Sequence, residues 1–239
     1  MIDIAGILAA NILYVILITI GGTLVSFSVH FVPVGGAPAA MAQAPGIGTG
    51  TVQLAAGAGL TGLITAGTVL GLTNSITIVL ASGAVGAMLM IGSTMIVGQM
   101  VYVYGVGVTP AGGKSKYDPI TKDRQDIYAS QGTEGHALPT ASFISGIIGG
   151  GLGGLGGSLV YYSLINVTNN MTMTDLAGLA AIFAIGIFFI NAVIPSYNIG
   201  GTTEGFHDPK FKRWYKAVIT SIIATFMCAI IGVLAIGGL

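Results

Sequence analysis

Glu204, His207 and Asp208 fall within the segment Gly201-Thr202-Thr203-Glu204-Gly205-Phe206-His207-Asp208-Pro209-Lys210, so two carboxylates and an imidazole share five consecutive positions. Such a set could act as general acid or base, ligate a metal, or hold an anionic substrate beside Lys210 and Lys212. Two carboxylates and one His leave a zinc site short of ligands unless Glu134 or His136 joins it, so no metal and no catalytic residue is assigned. The pair has an echo: Thr133-Glu134-Gly135-His136 repeats the Thr-Glu-Gly-His order of Thr203 to His207. A plainer reading also stands, in which Glu204 and Asp208 form loop caps and ion pairs. His-Asp-Pro reads as a helix start, with Asp208 as N-cap and Pro209 at the first helical position.

These residues matter because the chain around them has so little charge. Of 239 residues, 53% are hydrophobic and 7% charged, and the mean hydropathy is +0.89, against roughly 25% charge in soluble domains. The composition predicts an all-α, polytopic membrane protein, since a bilayer core of about 30 Å takes on the order of 20 apolar residues as helix. Six spans are expected near 4–29, 52–72, 76–108, 141–165, 176–194 and 217–239, the third long enough to tilt or to continue past the membrane. All eight basic residues lie in two clusters, Lys114, Lys116, Lys122 and Arg124, then Lys210, Lys212, Arg213 and Lys216. By the positive-inside rule both clusters are cytoplasmic, which sets the termini outside and the loops 30–51, 109–140 and 195–216 inside. Tyr102, Tyr104, Trp214 and Tyr215 mark the inner boundary, Tyr161 and Tyr162 the outer one. The N-terminal Met1-Ile2-Asp3 lacks a basic n-region, so the first span is expected to be retained.

Pro and Gly punctuate the descent of spans one, three and five, at Val32-Pro33-Val34-Gly35-Gly36, Thr109-Pro110-Ala111-Gly112-Gly113 and Ile194-Pro195. The pattern fits three hairpins or two inverted three-span halves. The uncharged loop from His30 to Gly50 fits either a cavity-lining segment or a surface connection. In span four the Gly151, Gly153 and Gly156 spacing is accidental as a nucleotide fingerprint, because no βαβ unit surrounds it. Gly146-Gly150-Gly154 and Gly153-Gly157 instead place small residues four apart, the spacing that lets membrane helices approach closely. Cys228, the one cysteine, excludes an intrachain disulfide and reads as a packing residue.

Inside the spans the demanding polar side chains are Asn11, Gln53, Gln99 and Asn191, none a carboxylate. A transported cation would depend on amide, hydroxyl and carbonyl oxygens, whereas the plain reading of Asn11 and Asn191 is interhelical hydrogen bonding. The charged stretch Lys114 to His136 is expected to be solvated, as a partner-docking loop or a simple connection. No basic stripe interleaved with aromatics, phosphate-binding loop or nucleophilic triad is present, so nucleic acid is not an expected partner.

Three passages carry a resemblance: Phe31-Val32-Pro33-Val34-Gly35-Gly36-Ala37-Pro38-Ala39-Ala40-Met41, Gly98-Gln99-Met100-Val101-Tyr102-Val103-Tyr104-Gly105-Val106-Gly107-Val108 and Glu204-Gly205-Phe206-His207-Asp208-Pro209-Lys210-Phe211. Over essentially its whole length the sequence resembles the D-subunit family of the membrane-bound tetrahydromethanopterin S-methyltransferase of methanogenic archaea. The resemblance implies a complex that transfers a methyl group from N5-methyl-tetrahydromethanopterin to coenzyme M through a corrinoid and drives sodium ions out of the cell. It implies that this chain binds no cofactor alone, the corrinoid belonging to another subunit, and that its partners are other membrane and soluble subunits and the lipid. Under it, Glu204, His207, Asp208, Glu134, His136, Asn11, Gln99 and Asn191 become candidates for an ion path or cytoplasmic coupling, with a sodium ion as ligand. Lys210, Lys212 and Arg213, or amides at the helix start near Pro209, become candidates for the coenzyme M sulfonate. The competing functions are a self-contained transporter or channel, and a purely structural scaffold.

Overall fold

The structure is a computed structural model that describes residues 3–34 and 49–238. Within them the chain is helical, in the order α1 (Ile4–Ala10), α2 (Ile12–Val29), α3 (Thr49–Leu70), α4 (Ile76–Met100), α5 (Thr140–Ile165), α6 (Met173–Ile199) and α7 (Trp214–Gly237). A π-turn, Val101–Val106, extends α4, and a 3₁₀ turn, Pro209–Arg213, leads into α7. The only extended pairing among the described residues is three isolated antiparallel bridges in the loops. The loop proposed to line a cavity falls largely on 35–48, outside the described residues, as does the side chain of Gln53.

Five helices among the described residues are long and apolar enough to cross a membrane: Ile12–Val29, Ile76–Val106, Thr140–Ile165, Met173–Ile199 and Pro209–Gly237. In α3 the searched apolar stretch, Gly57–Leu70, is shorter. The helix α5 is the axis of the bundle: 61% of its most apolar window is buried, against 33–44% for the other four. It packs chiefly on α2 and α4 and also on α3 and α6, while α7 closes the bundle against α2 and α6.

Glycine explains that central place. A Cβ on Gly21 of α2 would sit 2.7 Å from the Gly156 carbonyl oxygen, and one on Gly156 would sit 2.5 Å from that of Gly21. On the other side of α5, a Cβ on Gly62 of α3 would meet the Gly83 carbonyl oxygen at 2.7 Å and the Gly154 Cα at 3.0 Å. Three backbones therefore touch where Gly62, Gly83 and Gly154 meet, the close approach that small residues permit between apolar helices. The apolar remainder of the core, including Val15, Ile18, Val160, Leu164, Ile187 and Val233, fills the space between α2, α5, α6 and α7.

Two helix interruptions differ from the sequence reading. The first apolar segment is not one helix: Asn11 caps α1, its Nδ2 donates to the Ile7 carbonyl 3.0 Å away, and its Oδ1 accepts from the Thr168 amide at 2.9 Å. Pro195, read as a helix break, lies inside α6, which runs on to Ile199 and stops at Gly200 with φ of +73°. A proline removes one ladder bond, here the one its nitrogen would have given the Asn191 carbonyl, but the remaining turn is secured by the left-handed glycine cap.

Candidate functional site

The connections α4–α5 and α6–α7 fold together at one end of the bundle into a polar platform. The start of α5 contributes Ser145, whose hydroxyl donates to the Phe31 carbonyl at 2.7 Å and accepts the Phe206 amide at 2.9 Å. Val34 and Thr203 bridge to each other, as do Ala111 and His136. The end of α2, the start of α5 and the segment carrying Glu204 are thereby held in one register.

Glu204 sits at the centre of the platform and is 5% exposed. Its Oε1 accepts the Gly113 amide at 2.6 Å and the Gly135 amide at 2.9 Å. Its Oε2 faces the Lys114 amide at 3.3 Å and His207 Nε2 at 3.2 Å. Gly113 and Gly135 fit this role because a side chain there would strike neighbouring backbone: Thr133 from Gly113, Ala111 from Gly135. Gln125 completes the floor, its Oε1 taking the Gly112 amide at 2.5 Å. A carboxyl group so surrounded ties two loops together, with both oxygens turned to protein atoms.

The echo motif reciprocates. Glu134 Oε1 receives Lys210 Nζ at 2.9 Å, Lys114 Nζ at 3.2 Å and the Thr202 hydroxyl at 3.2 Å. Each Glu of the two Thr-Glu-Gly motifs is therefore held in part by the other's loop. Burial pushes the Glu134 carboxyl up, but the hydrogen bond and charge of Lys210, with Lys114 behind, outweigh it and hold the group below its ordinary range. Lys210 has no donor left: its other two protons go to Thr202, the carbonyl at 2.7 Å and the hydroxyl at 3.0 Å. Of the three cations expected to face an anion, only Lys212 and Arg213 stay exposed at the head of α7, and Arg213 Nη1 donates to the Asn198 carbonyl at 3.2 Å.

Asp208 is the N-cap that the His-Asp-Pro order predicts. Its Oδ1 accepts the Lys210 amide at 2.8 Å, Pro209 opens the 3₁₀ turn, and Oδ2 reaches back to the Glu204 amide at 3.1 Å. His136 joins the platform through its backbone, while its side chain is exposed and apart from the Glu204–His207 pair. Two buried polar atoms of the platform have no partner among the described residues, Glu134 Oε2 and His207 Nδ1. Among those residues, no group of three or more His, Cys, Asp or Glu is placed to hold a metal ion.

The loop 109–140 is less solvated than its charge suggests. Asp118 is buried and accepts the amides of Ile120, Thr121 and Ala141 at 2.8, 2.9 and 3.0 Å. Burial works against its charge, and those three amides, helped by nearby His207, more than offset it and hold the carboxyl below its usual value. Gly113, Lys114, Asp118, Gln125 and Ser145 are the residues that sequence reasoning missed as site residues. The signals for them were the Gly112-Gly113 pair, which reads equally well as a helix breaker, and the charged stretch Lys114 to His136, read as a docking loop or a simple connection.

The amides within the bundle lie apart from one another. Gln99 exchanges two hydrogen bonds with the Leu138 backbone, accepting at 2.6 Å and donating at 3.1 Å, and so pins the end of α4 to the start of α5. Asn191 is fully buried on α6, donates to the Ile187 carbonyl at 2.9 Å and to Thr225 Oγ1 at 2.8 Å, and accepts the Ser221 hydroxyl. Gly22 of α2 lies against this cluster, since a Cβ there would be 2.7 Å from Asn191 Nδ2. The cluster therefore joins three helices.

Fold and platform together define a class: an all-helical chain with several helices long and apolar enough to cross a membrane and its charged loops interlocked at one end, the build of a membrane subunit. The family model for the D subunit of tetrahydromethanopterin S-methyltransferase matches residues 11–225. The D subunit of this methyltransferase from Methanosarcina barkeri is 68% identical, over 96% of this chain and 96% of that protein. Those of Methanothermobacter marburgensis and Methanopyrus kandleri are 57% and 53% identical, over 92% and 90% of this chain and 95% and 93% of theirs. The chain belongs to the D-subunit family of tetrahydromethanopterin S-methyltransferase.

Proposed function

We propose that this chain spans the cell membrane six times, with both termini outside, as part of a methyltransferase complex that passes a methyl group from N5-methyl-tetrahydromethanopterin to coenzyme M through a corrinoid on another subunit, coupled to sodium export. Its own part is to help form the ion path and to present the platform as the cytoplasmic docking and coupling surface. The observation that supports this most is the reciprocal clasp. Glu204 and Glu134 each join two inter-helix loops, so a partner pressing on one loop moves the ends of α4, α5, α6 and α7 together. Lys212 and Arg213, exposed beside it, are left to meet an anionic group such as a sulfonate. The ion path draws on the oxygens of the Asn191 cluster, or on a carboxylate from a neighbouring subunit.

Replacing Glu204 and His207 with Ala in the assembled complex tests the coupling role. Methyl transfer should continue while sodium uptake into inverted vesicles falls away from it. Unchanged transfer and unchanged sodium coupling would end the assignment. A scaffold reading is favoured by one observation, that the amides of Asn11, Gln99 and Asn191 are engaged by protein atoms. Single Ala variants at these positions separate the two: a scaffold residue changes subunit assembly, an ion-path residue changes the sodium dependence of a complex that still assembles.

A further inference from the structure

At the end of the bundle away from the platform, the last turns of α3 and α5 and the first turns of α6 enclose a cavity of about 430 Å³. Its wall carries no charge, yet four hydrogen-bonding side chains line it, Asn74, Tyr161, Tyr162 and Asn166, above an apolar floor that includes Ile165. Tyr161 is 7% exposed, and its ring lies on Gly67 of α3, where a Cβ would be 3.3–3.6 Å from the ring and hydroxyl. The glycine thus lets the phenol reach the cavity from deep inside the fold. Among the described residues neither phenol hydroxyl nor the Asn74 amide bonds to a protein atom, and Asn166, exposed like Asn74, uses only its Nδ2, on the Tyr162 carbonyl at 2.8 Å. The Tyr161 ring is buried while the residue lines the concave site, where its hydroxyl is a donor and acceptor open to a ligand or to water.

We propose that this cavity binds the uncharged, polyhydroxyl headgroup of a lipid, such as a glycosyl headgroup, with the chain end against the apolar floor. The chemistry selects that class. Phenols and carboxamides offer donors and acceptors together, which match hydroxyl groups, and no cation is present to hold a phosphate. The site lies at helix ends, the level at which headgroups sit if the chain spans the membrane; the inference rests on that reading.

The assembled complex is placed in nanodiscs containing equal amounts of two lipids with identical chains, one with a disaccharide and one with a phosphoglycerol headgroup. After delipidation, native mass spectrometry counts what stays bound. The glycolipid should be retained at one per copy of this chain, and Gly67→Leu, which fills the cavity, should abolish that retention in a complex that still assembles. Tyr161→Phe with Asn74→Ala should weaken it by roughly fivefold or more, the effect of at least one lost hydrogen bond, and stands in should the Leu variant not assemble. Equal retention of both lipids, or retention unaffected by the Tyr161 and Asn74 changes, would overturn the proposal. A chain that is not membrane-embedded would retain neither lipid, which marks failure of the membrane reading itself.

Discussion

The platform and the glycine-lined interior of the bundle solve opposite problems. Inside the bundle, the Asn191 cluster apart, hydroxyls such as those of Thr19, Thr61, Thr65, Ser158 and Ser196 turn back on their own helices, each donating to a carbonyl four residues earlier. They contribute little to which helix meets which, so the choice of neighbour falls to glycine and to shape. On the platform, glycine amides and carboxylates pair across 69 to 91 residues of sequence. Specificity there comes from directed, charge-assisted bonds. The bundle interior answers to volume, and the platform answers to charge as well.

The largest expected break is Glu204→Ala. It strands the Gly113 and Gly135 amides, and at about 1–3 kcal/mol for each buried unpaired donor the loss should reach roughly 3–5 kcal/mol. Thermal unfolding of the complex, read beside Glu204→Gln, checks it, since Gln keeps one acceptor and should lose less. Gly154→Val tests the other region: a side chain there meets the Gly83 carbonyl oxygen at 2.5 Å. Overpacking of this kind costs about 1–3 kcal/mol, and it should loosen α3 and α4 from α5 in disulfide-crosslinking assays while the platform stays intact.

Acid should separate the two regions more gently. Because Glu134 titrates below its ordinary value of 4.5 in the folded chain, its contribution is complete above 4.5 and is lost as pH falls through the lower folded value. Glu134→Gln should therefore flatten the acid limb of a stability–pH curve, and Gly154→Val should leave that limb's shape alone. Ala137→Gly is the smallest effect and of opposite sign. Ala137 holds φ at +53° between the Ala111 bridge and the Gln99–Leu138 pair, and glycine there should stabilise by up to about 1 kcal/mol, measurable as a raised Tm.

The contrast also explains what could be read from sequence. Helices such as Thr140–Ile165 and Met173–Ile199 were legible because apolar length alone forces them. The Asp208 cap was legible because capping is local. Pro195 misled, since a proline costs a helix one bond without having to end it when the next turns have their own cap. The Thr-Glu-Gly echo pointed at the right carboxylates and to nothing about their partners, because the pairing of Glu204 with Gly113 and Gly135 is a property of the closed fold. Lys210 was legible as a cation near the site, yet its three protons are already committed.

The sequence distance across the Glu204 clasp also sets a schedule. Gly113 leaves the ribosome 91 residues before the carboxylate that it holds, an interval of roughly 5–20 s at ordinary rates of synthesis. For that time the loop between α4 and α5 waits without its carboxylate, while α5 and α6 are being made. The clasp can close only after α6 has been made, so it marks a bundle complete as far as α6, with α7 alone still to be added.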